Sequence, residues 1–159
     1  MEKKYELVKE DSIKVGNATL YRIKALRSFG IKALRSFGNV KAGTLGGYIE
    51  KEANLSHEDN CWVSGNAKVF GDAKVFGNAW VFGDARVFGN AKVSGDARVF
   101  GNAEVFGDAK VFGDAWVSGN AEVFGNVKVS GDAKVSGDEI IKENTSDIVD
   151  KINRIINAS

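Results

Sequence analysis

The chain has 159 residues, of which 43% are hydrophobic and 27% are charged, and its formal net charge is +1. This size indicates one domain, and the near-neutral charge excludes a global attraction to nucleic acid or to an anionic membrane. The single cysteine, Cys61, excludes a disulfide framework and suits a reducing compartment. The N-terminus lacks the apolar core of a signal peptide, and no apolar run is long enough to span a bilayer. We therefore predict a cytoplasmic protein with no membrane partner.

Residues 1–39 are predicted to form a strand cap. Apolar residues alternate loosely through residues 1–22 around a Gly-Asn turn, which indicates two or three short strands. We expect these strands to cover the open N-terminal end of the repeat that follows, because an uncovered coil leaves backbone groups unpaired. The octapeptide IKALRSFG then occurs twice, at 23–30 and 31–38. Its basic residues indicate either a solvated surface or a patch for an anionic partner.

The next segment leads into the repeat. We interpret Gly46-Gly47 as a turn and not as a phosphate-binding loop, because no helix start follows it. Leu55 and Val63 are eight residues apart, not six, which predicts a bulged corner between them. Cys61 is predicted to fill an inward position that alanine occupies in the later repeats.

Residues 66–137 form twelve consecutive hexads: Asn or Asp, then Ala (Val once), a variable residue, Val, Phe or Ser, and Gly. A fixed period of this kind marks a solenoid. The alternation within each hexad is that of a strand, and Gly followed by Asn or Asp supplies a corner. Three corners close a triangle, so one coil takes 18 residues. Val and Ala are predicted to lie inside, because the opposite arrangement would bury ten charged side chains.

The hexads resemble the hexapeptide-repeat family, the left-handed parallel β-helices of bacterial acyl- and acetyltransferases. In that family an aliphatic and a small residue fill the inside, as Val81 and Ala85 would here. The segment before the hexads is similar to the leader of uncharacterised bacterial and phage-encoded hexapeptide-repeat proteins, some of which are named as transferases. The matching residues are Arg22, Ile23, Ala25, Leu26, Phe29, Gly46, Gly47, Tyr48, Ile49, Glu50, Asn54, Leu55, Ser56, Cys61 and Trp62. The resemblance implies an all-β fold with a left-handed parallel β-helix over residues 40–137.

Residues 138–159 are predicted to form an α-helix. Ile141, Ile148, Ile152 and Ile155 fall at helical spacing, with acidic residues near the start of the segment and basic residues near its end. We expect this helix to cover the last coil. The alternative is a short three-helix assembly within an oligomer.

Residues 18 apart should stack, so the outward side chains form columns on three faces. The Phe face carries the column Lys68, Arg86, Glu104 and Glu122 and the ladder Phe70, Phe88, Phe106 and Phe124. The Lys face carries Lys74, Lys92, Lys110 and Lys128 beside Phe76, Ser94, Phe112 and Ser130. The Trp face carries Trp62, Trp80, Arg98, Trp116 and Lys134.

Each face has two interpretations. The Phe ladder predicts either a homo-oligomer interface, for which the resemblance favours a trimer, or ring stacking that shields the backbone. The Lys column sets like charges about 5 Å apart, which requires either nearby aspartates or an anionic ligand. The Trp face, with Arg98 between Trp80 and Trp116, resembles a surface for nucleotides or sugars, or an interface hot spot.

Catalysis by this chain would depend on His57, its one histidine. One imidazole cannot build a three-histidine zinc site, although it can act as a general base in an acyltransferase. A corner column of Asp96, Asp114 and Asp132 suggests calcium, but turn hydrogen bonds explain it without a metal. We predict no metal and no cofactor.

The function expected from the sequence is a non-catalytic scaffold or binding module, oligomeric through the Phe face and phage-related. Two alternatives remain: a binder of nucleotide or another anionic ligand on the Trp or Lys face, and an acyltransferase that uses His57.

Overall fold

The computed structural model describes residues 3–30 and 39–142, and these residues form an all-β structure. The strands are β1 (Tyr5–Val15), β2 (Ala18–Ala25), β3 (Phe29–Gly30), β4 (Asn39–Val40), β5 (Leu45–Ile49), β6 (Trp62–Val63), β7 (Lys68–Val69), β8 (Lys74–Val75), β9 (Trp80–Val81), β10 (Arg86–Val87), β11 (Lys92–Val93), β12 (Arg98–Val99), β13 (Glu104–Val105), β14 (Lys110–Val111), β15 (Trp116–Val117), β16 (Glu122–Val123), β17 (Lys128–Val129), β18 (Lys134–Val135) and β19 (Ile140–Ile141). A 3-10 turn, Glu52–Asn54, precedes β6.

The two-residue strands stack in parallel at a spacing of 18 residues, as the hexads predict. Arg86, for example, pairs with Lys68 on one side and with Glu104 on the other. The Phe face contains β7, β10, β13, β16 and β19, the Lys face β8, β11, β14 and β17, and the Trp face β6, β9, β12, β15 and β18. The chain is therefore a parallel β-solenoid of the left-handed β-helix type, with about five turns.

Valine and alanine fill the inside of the tube, as predicted. The repeat valines from Val69 to Val135 are at most 1% exposed, and the alanines from Ala67 to Ala121 are fully buried. The phenyl rings of the hexads lie outside, where they are half-buried or exposed. Because burial of apolar surface is the main driving force of folding, this Val–Ala core is what holds successive coils together.

The N-terminal strands extend one sheet of the solenoid. β1 and β2 form an antiparallel hairpin around Gly16, whose φ is 59°. β2 is antiparallel to β5, and β5 is parallel to β7, so the Phe-face sheet continues to β1 and has eight strands. The first coil is completed by an isolated bridge from Leu55 to Val75 and by β6. Among the described residues, the strand pairing between this segment and the solenoid is at the first edge of the Phe face.

The first copy of the octapeptide supplies the end of β2 and the whole of β3, which pairs antiparallel with β4. The second copy, residues 31–38, lies outside the described residues.

The predicted helical boundary at residue 138 is wrong. Residues 138–142 continue the solenoid, because β19 pairs in parallel with β16. Ile141 takes the inward position of the repeat valines and is 6% exposed, whereas Ile140 points outward and is 58% exposed. Ile141 lies six residues after Val135, so the core spacing persists into a thirteenth, degenerate hexad. The rest of the predicted helix, residues 143–159, lies outside the described residues.

Within the described part of the chain, no helix has the length and apolar character needed to cross a membrane.

Candidate interaction surfaces

The Phe face carries an unbroken stack of aromatic rings. Successive phenyl centroids from Phe70 to Phe124 are 4.9–5.0 Å apart, and their planes are within 7° of each other. Each ring is half-buried by its neighbours, and its outer edge stays on the surface. Stacking between coils is therefore present, and the ladder still forms a continuous apolar stripe.

Charges run beside this stripe in a definite order. Lys68 and Arg86 come first, and Glu104 and Glu122 follow, with each residue in register with the next. Burial, followed by the neighbouring charge of Arg86, lowers the pKa of the Lys68 ammonium. One half of the column is thus basic and the other half acidic.

The Lys face presents four lysines in register on successive coils. Lys74, Lys92, Lys110 and Lys128 are cross-strand partners, and all four are exposed. Among the described residues, none of the four ammonium groups forms a salt bridge.

Two of the three aspartates expected to offset this charge, Asp72 and Asp108 but not Asp96, have partners other than the four lysines. The Asp72 carboxylate lies 3.0 Å from the Lys51 ammonium, and Asp108 accepts a hydrogen bond of 3.3 Å from the Asn90 amide. Both aspartates line a groove of about 440 Å³ along the lysine column. The column therefore remains uncompensated by direct ion pairs.

The aromatic column that runs beside the lysines on the Lys face lacks a ring at Ser94. Ser94 separates Phe76 from Phe112, and backbone hydrogen bonds keep the three residues in register on adjacent coils. The two rings are 40% and 36% exposed, unlike the half-buried rings of the unbroken ladder.

Substitution of Ser94 by Phe is expected to raise the free energy of unfolding. The new ring would stack on both Phe76 and Phe112, and an aromatic pair contributes about 0.5–1.5 kcal/mol. Ser130→Phe is the matched control, because it would stack only on Phe112 among the described residues. Urea denaturation of the two variants and the wild type measures the difference. Equal stabilisation by both substitutions would contradict the prediction.

Two tryptophans of the Trp face are buried. Trp62 is 1% exposed and packs edge-on against Tyr5 and Phe29, and Trp80 is 6% exposed. The Trp80 indole donates a 2.9 Å hydrogen bond to the Asn60 carbonyl. These rings point outward from their strands, but the N-terminal segment and the bulged corner cover them. They do not form the exposed stacking surface that the sequence suggested.

Trp116 is the half-exposed ring of this face, and two cations approach it. The Arg98 guanidinium lies 5.6 Å and the Lys134 ammonium 5.1 Å from its centroid. The Arg98–Trp116 contact of the predicted cation–π arrangement is present, and Lys134 approaches the same ring from the next coil. These contacts are worth about 0.5–1 kcal/mol each at exposed sites, so they stabilise the face.

His57 uses both of its ring nitrogens within the fold. Nδ1 accepts a 3.1 Å hydrogen bond from the Lys4 backbone amide, so the proton must lie on Nε2, which is 2.8 Å from the Glu52 carboxylate. The ring stacks on Tyr5 at 4.1 Å between centroids. The hydrogen bond from His57 is the main cause that lowers the pKa of Glu52. This arrangement attaches β1 to the corner and leaves no nitrogen lone pair for a substrate proton.

A buried lysine closes the same corner. The Lys4 ammonium is inaccessible to solvent and donates to the carbonyls of Cys61 at 2.6 Å and of Glu58 and Asp59 at 3.3 Å. Asp59 has a φ of 55°, a conformation that turns the bulged corner. Burial lowers the pKa of Lys4 and raises the pKa of Cys61. This role could not be predicted, because Lys4 lies in a charged stretch of the sequence that is typical of a solvated terminus.

The part of the chain that the structure describes contains no group of three or more His, Cys, Asp or Glu side chains placed to hold a metal ion. No family model matches the chain, and no curated protein matches it.

Proposed function

We propose that this protein is a non-catalytic β-solenoid scaffold that binds an anionic ligand along its Lys face. The observation that carries the proposal is the column of four exposed lysines in register, without an ion pair among the described residues. Strand spacing puts these charges about 4.8 Å apart. Like charges opposite each other destabilise a sheet, so an external anion offers the compensation that the chain lacks.

A ligand with regularly spaced negative charges fits this column best. The four lysines are in register along the solenoid, and three of them, Lys74, Lys92 and Lys110, line a groove that corner residues also border. Of the two aspartates that border the same groove, Asp72 is paired with Lys51, and Asp108 keeps its charge and accepts a hydrogen bond from the Asn90 amide. A linear polyanion that lies along the axis would contact successive lysines without any change in the backbone, and its affinity would depend strongly on salt.

The two other functions expected from the sequence have weaker support. A nucleotide site on the Trp face needs exposed rings, and Trp62 and Trp80 are buried. An acyltransferase needs a general base with a free lone pair, and the Nδ1 atom of His57 already accepts a hydrogen bond from Lys4.

Titration with inorganic polyphosphate tests the proposal. Removal of two central charges, in Lys92→Gln/Lys110→Gln, is expected to weaken binding about tenfold at low salt and to reduce its salt dependence. The control, Lys14→Gln/Lys24→Gln, removes the same charge from exposed residues of β1 and β2. Isothermal titration calorimetry at several salt concentrations measures both.

The same pair of variants supplies a second readout. Without ligand, Lys92→Gln/Lys110→Gln should be slightly more stable than the wild type, because repulsion in the column is relieved. If both variants lost polyphosphate binding equally, net charge and not the lysine column would explain the binding, and the proposal would be overturned. Absence of polyphosphate binding to the wild type would also overturn it.

A further inference from the structure

We propose that the Phe face binds a second copy of this chain, with the two solenoids antiparallel and related by a twofold axis between β10 and β13. This surface is separate from the Lys face. Three properties of the face carry the inference: the order of its charges, its unbroken ladder, and the residues at its two ends.

The charges of this column are complementary to those of the same column in a second copy that runs in the opposite direction. Along the solenoid it runs from Lys68 and Arg86 to Glu104 and Glu122. A twofold axis perpendicular to the solenoid, between the second and third residues, sets Lys68 of one copy opposite Glu122 of the other. The same operation sets Arg86 opposite Glu104. In an isologous interface each such pair occurs twice, so four opposite-charge pairs form.

Parallel axes do not give this match. When the two solenoid axes are parallel, each coil of one copy lies beside the same coil of the other. The basic coils then meet at one end and the acidic coils meet at the other. A trimer with its axis along the solenoids belongs to this class. The trimer expected from the family resemblance therefore conflicts with the charge order, and the antiparallel pair agrees with it.

The ladder supplies the apolar part of the interface. Among the described residues, the Phe face has the one column in which four successive coils all carry phenylalanine, while serine interrupts the corresponding columns of the other two faces. The proposed twofold axis runs along the strand direction, so it keeps the phenylalanine column of one copy opposite that of the other. Both ladders have the same repeat of about 4.9 Å between rings, which allows every coil to make the same contact.

The ends of the face follow the same rule. Tyr48 of β5 and Ile140 of β19 continue the charge column at its two ends. Glu50, just after β5, and Lys142, just after β19, continue the phenylalanine column. The twofold operation sets Tyr48 opposite Ile140, which is 58% exposed in the single chain. It also sets Glu50 opposite Lys142. Tyr48 is only 9% exposed because the Arg22 guanidinium lies over its ring, so the apolar contact there is small. The Glu50–Lys142 pairing adds one further opposite-charge pair on each side. Because the face is narrow, we expect a dissociation constant in the micromolar range.

Charge reversal tests the pairing. Sedimentation from about 5 to 500 µM, a range that brackets a micromolar constant, is expected to show a wild-type dimer. Glu104→Lys/Glu122→Lys makes the column wholly basic and Lys68→Glu/Arg86→Glu makes it wholly acidic, so each variant alone should be monomeric. A mixture of the two should dimerise again. Circular dichroism checks that each variant folds, and Lys74→Glu/Lys92→Glu, on the Lys face, is the control that should leave the dimer intact.

Cysteine cross-linking tests the orientation. Chains with Lys68→Cys and chains with Glu122→Cys should form a disulfide with each other when mixed, and neither should cross-link with itself. The native Cys61 is fully buried and does not interfere. A wild type that is monomeric over the whole range, a trimeric mass, a dimer that both charge reversals leave unchanged, or self-linking of each cysteine variant would each overturn the proposal.

Discussion

Replacement of Lys4 by Met is expected to lower the free energy of unfolding by about 3 kcal/mol, because it leaves buried carbonyl groups without a donor. The Lys4 ammonium donates to the carbonyls of Glu58, Asp59 and Cys61, and the side chain has no solvent exposure. Methionine has nearly the same length of apolar side chain as lysine. The loss of unfolding free energy therefore measures the hydrogen bonds more than the packing. Chemical denaturation followed by tryptophan fluorescence suits this measurement, since Trp62 lies in the same cluster.

The neighbouring residue supplies the control for this experiment. Lys3 is 61% exposed and forms a surface ion pair with Glu52 at 3.4 Å. Lys3→Met is therefore expected to change stability by no more than about 0.5 kcal/mol. If both substitutions destabilise the chain equally, the ammonium of Lys4 does not hold the corner in the way described.

Gly95→Ala is the second substitution with a large expected effect, about 3 kcal/mol of destabilisation from backbone strain and overpacking together. Gly95 has a φ of 65°, and a Cβ atom there would lie 2.8 Å from the Gly113 backbone nitrogen. Adjacent coils are stacked at strand spacing, so the coil that contains Gly113 cannot move away without breaking its backbone hydrogen bonds to the coil that contains Gly95. Thermal denaturation should show a correspondingly lower midpoint.

Gly131→Ala separates the two contributions to this loss. Gly131 occupies the same corner column with a φ of 62°, but no described atom lies within 4 Å of a Cβ built there. Only the conformational strain of about 1–2 kcal/mol should remain. An equal loss at both positions would mean that φ alone requires glycine at these corners.

The interior of the solenoid could be predicted from the sequence because each hexad has the same surroundings as the next. Val87 and Val105, for example, have identical neighbours on adjacent coils, so one pattern of alternation determines the position of both. The columns of the Phe and Lys faces follow from the 18-residue coil for the same reason. Energetics in such a fold are dominated by each repeat and its nearest neighbours, which local sequence specifies.

The same reasoning failed where the surroundings change. Trp62 has the outward position of its strand, yet Tyr5 and Phe29 cover it, and those residues are far from it in sequence. The sequence offered His57 as a possible general base, whereas its two hydrogen bonds depend on where the chain at Lys4, just before β1, crosses the corner. No periodicity relates these segments, so their contacts could not be derived from spacing.

The C-terminal boundary shows how two patterns compete. Ile140 and Ile141 fit a helical apolar stripe and also fit one more hexad. The strand forms because the edge of β16 offers backbone hydrogen-bond partners to a strand, and a helix cannot use them.

By itself the amino-acid sequence determined the repeating coil, the residues that fill it and the order of side chains along each outer face. Regular alternation leaves one low-energy way to separate apolar from charged groups. The tertiary structure decided which outward residues stay accessible, how the first coil is attached and that residues 138–142 continue the solenoid. Those features arise from contacts between dissimilar segments, and their free energy is absent from any single stretch of the chain.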